Sequence, residues 1–217
     1  MSAADVWFSG ETSFYMLVSV PPVEDSGRII GSGLDQKLEL SAYSDITSLK
    51  IAGGFSFNFQ QRSINAYLSE AYANLYLGTL SFRAGLQEVA WGVAEIMSAV
   101  DVICPSDISD PLNLKRISGG TVKASYDAFP FALELFWIPV FTPAALPSDM
   151  TAGIEISNPE PKLENGEVAA KASAYTSAGD FSIYGFYGWE DIPSVDVDFT
   201  STPPTAAGKY DRQIGRA

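Results

Sequence analysis

Residues 68–87 read LSEAYANLYLGTLSFRAGLQ, two alternating segments that meet at Gly78-Thr79. A two-residue hairpin at this point pairs apolar residues on one face, namely Leu77–Leu80, Leu75–Phe82, Ala73–Ala84 and Ala71–Leu86. The opposite face pairs polar residues, namely Asn74–Arg83 and Glu70–Gln87. A slip of one residue would mix the two faces. The stretch therefore predicts an antiparallel hairpin with one apolar and one polar face.

Three more stretches have the same organisation, with candidate turns at Asp45-Ile46, Ala128-Phe129 and Ala178-Gly179. They predict cross-strand pairs between apolar residues, among them Ala42–Leu49, Val122–Leu135 and Ala174–Ile183. On the polar face of the third hairpin, Lys123 is expected directly opposite Glu134. The first strand, at about 6–20, alternates more loosely and has no short-turn partner.

Long connections are expected between these hairpins, at 21–33, 61–65, 92–119, 139–166 and 190–208. Short turns that alternate with long loops are typical of a transmembrane β-barrel of the outer-membrane type, with short periplasmic turns and long extracellular loops. We therefore expect an all-β, antiparallel, up-and-down barrel of about 9–10 strands over residues 1–217. Residues 208–217 resemble the start of a tenth strand, so we expect one barrel domain that is incomplete at its C-terminal end.

The composition agrees with strands that meet lipid on one face. Charged residues make up 18% of the chain, against about a quarter in ordinary soluble domains, yet no apolar run approaches the ~20 residues of a membrane helix. Aromatic residues reach 12%. The four tryptophans lie near predicted strand ends, as an interfacial girdle requires: Trp7, Trp91, Trp137 and Trp189.

The net charge of −13 argues against nucleic-acid binding, because little here neutralises phosphate. Catalysis has no support either, since the chain has no histidine, phosphate loop or metal-ligand spacing. Cys104 is the single cysteine and is expected to be a structural thiol. The acids of the long connections are read as solvating rather than cation-binding. We expect no enzyme activity, cofactor or metal. We read no signal peptide at the N-terminus, so the chain is expected to be a mature form or an incomplete reading frame.

Residues 68–147 also carry a longer pattern of specific residues. It comprises Leu68-Ser69-Glu70-Ala71-Tyr72, Arg83, Gly85, Gln87, Trp91, Gly92, Asp101, Pro105, Asp107, Ile138, Pro139, Phe141, Pro143, Leu146 and Pro147. This pattern resembles a family of bacterial outer-membrane porin-like proteins of unknown function. The chain departs from it near Glu95 and at Cys104, where the family commonly has asparagine. The resemblance implies an outer-membrane barrel longer than this chain, with no established substrate or catalytic residue.

The polar faces supply candidate pore-lining residues: Lys50, Glu70, Asn74, Arg83, Gln87, Lys123, Glu134 and Lys171. The connection 92–119 is long enough to be functional, and wide barrels use such loops to narrow the channel. Folded inward, it would present Asp101, Asp107 and Asp110 as a constriction facing the basic residues of the wall. The alternative is a surface loop that shields the top of the barrel.

The function predicted from these features is passive passage of ions or small polar solutes through the bacterial outer membrane. Two alternatives stay open. One is a plugged or adhesive surface barrel without transport, and the other is a soluble, secreted β-sandwich that acts as a binding module. The expected partners are outer-membrane lipid and small solutes, with a homo-oligomer as a further option.

Overall fold

Antiparallel β-strands make up most of the structure, a computed structural model that describes residues 5–19, 28–91, 103–109, 115–200 and 205–215. The strands are β1 Asp5–Ser19, β2 Arg28–Tyr43, β3 Thr47–Asn58, β4 Ser63–Leu77, β5 Leu80–Gln87, β6 Ser106–Asp107, β7 Lys115–Arg116, β8 Gly119–Ala128, β9 Phe131–Ile138, β10 Glu155–Ser157, β11 Glu167–Thr176, β12 Gly179–Trp189, β13 Ser194–Asp198, β14 Thr205–Lys209 and β15 Arg212–Ile214. A four-residue helix, α1 Ser148–Thr151, and a single 3-10 turn at Leu163–Asn165 lie between β9 and β11. The predicted all-β, antiparallel class is confirmed.

The chain divides into two compact units, Met1–Ala73 and Asn74–Ala217, hereafter unit 1 and unit 2. Unit 1 contains β1, β2, β3 and most of β4, which follow one another in the sheet in chain order. Among the described residues of both units, no helix has the length and hydropathy needed to cross a bilayer.

The predicted register of the first hairpin in unit 1 is confirmed. Ala42 faces Leu49, Leu40 faces Ile51 and Leu38 faces Gly53, as alternation requires. The join predicted as long at 61–65 is instead a tight four-residue turn at 59–62. Asn58 causes the difference, because its side-chain oxygen accepts hydrogen bonds from the backbone amides of Gln60 and Gln61, both at 3.0 Å, and so closes the turn.

Unit 2 contains β5, β8, β9, β11, β12 and β15 as successive neighbours in the sheet. Tight turns join strands at 78–79, 129–130 and 177–178, and Gly78 adopts the left-handed conformation (φ 66°) that such a turn needs. Longer connections span 88–118, 139–166 and 190–211. Because successive strands run antiparallel, the three tight turns share one end of unit 2 and the three long connections share the other.

Two predicted registers in unit 2 are wrong by two residues. Val122 faces Trp137 rather than Leu135, because the turn is centred on Phe129-Pro130 and proline, which has no amide hydrogen, stays out of the ladder. Ala174 likewise faces Phe181 rather than Ile183, since the turn lies at Ser177-Ala178. A shift of two keeps every side chain on its predicted face.

The long connections of unit 2 carry small sheets of their own. β6 pairs antiparallel with β7, and β14 lies between β10, which is parallel to it, and β13, which is antiparallel. These additions all belong to the end of unit 2 that is opposite the tight turns.

The main sheet of unit 2 exposes its apolar face. Rows of apolar side chains run across the strands, as in Phe82–Ala124–Leu135–Ala170 and Tyr126–Leu133–Ala172–Ile183. Leu135 is 48% exposed and Ile183 is 74% exposed. The opposite face, hereafter the polar face, holds buried hydroxyl and amide side chains, namely Gln87, Thr121, Ser125 and Ser173. This distribution is the reverse of what water selects in a soluble sheet.

Unit 1 has the same inverted distribution. Leu40, Ile51 and Phe55 are exposed, while Ser41 and Ala52 on the other face are buried. Each of these side chains forgoes part of the about 1.5–3 kcal/mol that full burial would supply.

Candidate functional site

The polar face of unit 2 brings five of the predicted pore-lining residues together. Arg83, Gln87, Lys123, Glu134 and Lys171 line one depression of about 270 Å³. Glu88, Val89, Ala90, Trp91 and Phe136 complete its wall. Alternation along β5, β8, β9 and β11 turns the five predicted residues and Phe136 to the same side of the sheet, whereas 88–91 follow the end of β5.

Two rows of cross-strand neighbours form the floor of this depression. Arg83 on β5 lies directly opposite Lys123 on β8. In the adjacent row Glu134 on β9 lies directly opposite Lys171 on β11. The predicted direct pair of Lys123 with Glu134 is replaced by Ser125 opposite Glu134, yet the Lys123 ammonium still reaches the Glu134 carboxylate diagonally and forms an ion pair.

Glu134 binds two groups from different parts of unit 2. Its Oε1 pairs with Lys123 Nζ, and its Oε2 accepts a hydrogen bond from Trp91 Nε1 at 3.0 Å. The Lys123 ammonium also lies 5.3 Å from the centre of the Phe136 ring. Because the carboxylate is only partly exposed, both interactions are stronger than the same contacts in bulk water.

The Lys171 ammonium lies over an aromatic ring instead of a carboxylate. It is 5.5 Å from the centre of the Tyr184 ring. Within the part of the chain that the structure describes, Lys171 forms no ion pair, although Glu134 faces it across the strands. The depression therefore contains a cation whose charge is stabilised by a π face rather than cancelled.

Gln87 forms a buried polar floor next to these charges. Its side chain is fully buried, and its Nε2 donates to the Thr121 hydroxyl. Its Oε1 is buried and lacks a hydrogen-bond partner among the described residues. A buried acceptor without a donor costs about 1–3 kcal/mol of stability.

Asn74 extends the polar face next to Arg83. It is buried, and its Oδ1 accepts a hydrogen bond from Arg83 Nε at 2.6 Å. The contact agrees with the predicted pairing of the two residues on one face of the hairpin.

Lys50 and Glu70 lie in unit 1 and form a separate cluster there. Lys50 Nζ is 2.7 Å from Glu70 Oε2 and 3.4 Å from Glu39 Oε2. The sequence placed these residues correctly on one face but did not single out Glu39 as the third member, which the confirmed β2–β3 register brings beside Lys50.

The described ends of the connection after β5 pack against the polar face. Trp91, Ile103 and Cys104 form an apolar cluster with Phe136, Ile138, Ala169 and Phe186. The Trp91 ring contacts those of Phe136 and Tyr184, each at 5.5 Å between centroids. Trp91 is thus a buried anchor, and its expected place in an exposed aromatic girdle is wrong.

Cys104 is held within this cluster as a structural thiol. Its sulfur accepts a hydrogen bond from the Val89 amide at 3.2 Å, and burial raises the pKa of the thiol. The side chain is therefore protonated and shielded at neutral pH. The sequence analysis did not identify Trp91, Phe136 and Tyr184 as site residues. Alternation along the strands places Phe136 and Tyr184 on the polar face, so it would have identified these two.

The three acids of the predicted constriction are only partly described. Asp101 and Asp110 lie outside the described residues. Asp107 lies in β6, where its Oδ1 accepts a 3.0 Å hydrogen bond from the Ser109 amide. Among the residues that the structure describes, no group of three or more His, Cys, Asp or Glu side chains is arranged to hold a metal ion.

Comparison of the chain with family models, curated proteins and solved structures finds no match. The resemblance to outer-membrane porin-like proteins therefore stays a prediction.

Proposed function

We propose that this chain forms part of the wall of an outer-membrane β-barrel that passes ions or small polar solutes. One observation carries the proposal, namely the inverted sidedness of the sheet. Apolar side chains such as Leu135 and Ile183 are exposed, while polar ones such as Gln87 and Thr121 are buried on the other face. Lipid stabilises such an apolar face, whereas water penalises it.

The connections support the same proposal. In unit 2 the tight turns share one end and the long connections share the other, as in barrels with short periplasmic turns and long extracellular loops. The polar face then becomes the lining of the channel. Its charges in unit 2, on Arg83, Lys123, Glu134 and Lys171, would act on solutes by electrostatics and size rather than by chemistry.

A plugged barrel is the second candidate, and a specific observation favours it. Trp91, Ile103 and Cys104 pack on the polar face and occupy part of the space in front of it. A barrel filled in this way would carry its function in its loops instead of in a pore.

The experiment is membrane fractionation of the intact protein, followed by refolding into detergent and planar-bilayer recording. Partition into the outer membrane with discrete conductance steps is the result expected of a channel. The same partition without conductance would favour the plugged barrel. A β-rich protein that stays monomeric in plain buffer would overturn the membrane assignment and leave the soluble β-sandwich.

A further inference from the structure

We propose that Arg212, held over the rings of Tyr187 and Trp189, binds the phosphate of an anionic lipid headgroup at one boundary of the bilayer. The inference rests on the proposed membrane assignment and names a lipid partner for one position on the apolar face of unit 2. These three residues, hereafter the Arg212 cluster, lie at the end of unit 2 that carries the long connections.

The pairing of the strands places the Arg212 cluster on the lipid-facing side of the sheet. Arg212 on β15 lies directly opposite Trp189 on β12. Its guanidinium carbon is 4.3 Å from the centre of the Trp189 ring and 4.9 Å from that of the Tyr187 ring. Tyr187 pairs with Val168 on the apolar face, and both residues are almost half exposed. Because Trp189 has the same parity as Tyr187, the cation lies over rings of the apolar face.

No ion pair neutralises Arg212 within the part of the chain that the structure describes. Its Nη1 donates to the Gly166 carbonyl at 3.2 Å, and its Nη2 donates to the Glu164 carbonyl at 3.1 Å. These acceptors are neutral and use two of the five N–H groups of a guanidinium. The nearby Glu167 carboxylate is on the polar face, is 5% exposed and accepts a hydrogen bond from the Trp189 amide at 2.8 Å. The cluster therefore retains a positive charge and further donors for an anion.

The position of Trp189 along its strand sets the level of the Arg212 cluster in the bilayer. Trp189 lies eleven positions after Ala178, which is in a tight turn. At ~3.4 Å per residue this is ~37 Å along the strand, and a tilt of about 45° converts it to a depth of ~26 Å. An apolar band is ~25 Å tall, so the cluster lies where hydrocarbon meets the headgroups.

A lipid phosphate matches the chemistry that is available at this level. A guanidinium can donate two parallel N–H bonds to the oxygens of one phosphate group. Tyrosine and tryptophan rings favour the boundary between hydrocarbon and headgroups because they combine an apolar body with a polar group. On the same face, toward the tight turns, Ile183 and Leu135 are exposed and can contact the acyl chains of the same lipid.

The test is the unfolding equilibrium of the intact protein in vesicles of phosphatidylcholine, with and without added phosphatidylglycerol. The anionic lipid should lower the unfolding equilibrium constant of the wild type about fivefold relative to Arg212→Gln, the effect of one basic residue near an anionic surface. Arg212→Lys keeps the charge but loses the fork, so it should retain part of the difference.

Lys209→Gln is the matched control, because Lys209 lies at the same end of unit 2, is exposed and pairs with Asp196. It changes the net charge equally and therefore accounts for any general attraction or repulsion between the acidic chain and the lipid. An equal response of Lys209→Gln and Arg212→Gln to phosphatidylglycerol would overturn the site. Inorganic phosphate that reproduces the lipid effect in phosphatidylcholine vesicles would overturn the lipid as its ligand.

A second readout uses the wild type alone. Since Trp189 lies against Arg212, bromine-labelled phosphatidylglycerol should quench more tryptophan fluorescence than bromine-labelled phosphatidylcholine at the same fraction. Equal quenching by the two lipids in an inserted protein would overturn the headgroup site and leave the membrane assignment standing. A protein that inserts into neither kind of vesicle would overturn the membrane assignment itself.

Discussion

Replacing Leu135 by arginine distinguishes a lipid-facing sheet from a water-facing one. Leu135 lies on the apolar face of unit 2 and is 48% exposed. If that face meets water, the substitution is an ordinary surface change and alters the free energy of unfolding by at most about 0.5 kcal/mol. If it meets lipid, an arginine near the middle of the bilayer costs about 2–4 kcal/mol.

The position of Leu135 along its strand sets the expected magnitude. The residue lies five positions after Pro130, which is in a tight turn. At ~3.4 Å per residue this is ~17 Å along the strand, and a tilt of about 45° converts it to a depth of ~12 Å. That depth is about half of an apolar band ~25 Å tall, so the full midplane cost of roughly 3 kcal/mol is expected.

The assay compares Leu135→Arg with Leu163→Arg in the intact protein refolded into lipid vesicles. Leu163 lies exposed in the 3-10 turn between β9 and β11, so the same substitution there should change stability by less than about 0.5 kcal/mol. Unfolding is followed by tryptophan fluorescence in increasing guanidinium chloride. Equal unfolding free energies for the two variants would refute the assignment of this face to lipid.

Three more predictions concern the polar face, the thiol and the packing of unit 1. Glu134→Ala should lower the free energy of unfolding by about 2–3 kcal/mol, because Lys123 and Trp91 both lose an acceptor. Glu134→Gln should lower it less, since the glutamine oxygen remains an acceptor for Trp91. Identical losses for the two variants in chemical denaturation would contradict this. Cys104 should react with maleimide far more slowly in the folded protein than in denaturant, because burial raises its pKa and shields the sulfur. Comparable labelling rates would show that reagent reaches the sulfur in the folded protein. Gly33→Ala should destabilise the protein by about 1–3 kcal/mol, because a Cβ would lie 2.6 Å from both the Phe57 carbonyl oxygen and the Tyr15 hydroxyl. Gly120→Ala is the control in the same denaturation series, since a Cβ there meets nothing within 4 Å.

The sequence predicted the two faces better than it predicted the registers. Alternation assigns a residue to a face by parity alone, so Lys123, Glu134 and Lys171 were placed correctly on one face. A register slip of two leaves that assignment unchanged and still pairs apolar with apolar residues. The pattern therefore could not distinguish the observed Val122–Trp137 pair from the predicted Val122–Leu135 pair.

The residues in each turn determine whether the predicted strand register is correct. At 44–46 the Ser44 amide donates to the Thr47 carbonyl at 2.8 Å, and the predicted pairs follow. At 129–130 the absence of an amide hydrogen on Pro130 moves the turn by one position, which changes every pair by two. The proline was visible in the sequence, and giving it more weight than the apolar pairs would have given the right register.

Contacts between distant segments were beyond the reach of the sequence pattern. Lys171 faces Glu134 only because β11 pairs with β9 across the connection 139–166. The contact of Trp91 with Glu134 joins residues 43 positions apart and depends on how the chain leaves β5. Such contacts arise from tertiary packing, which period-two alternation does not encode.

Glu134 explains how one face can hold both an apolar cluster and a charged depression. Its carboxylate binds Lys123 through one oxygen and Trp91 through the other. The Trp91 ring in turn packs on Phe136 and Tyr184, and Tyr184 lies beneath the Lys171 ammonium. The apolar cluster thus fixes the aromatic ring that holds Lys171, while the carboxylate that could have neutralised Lys171 is occupied elsewhere. By this arrangement the packing of Trp91 at the start of the connection after β5 sets the charge that the depression presents.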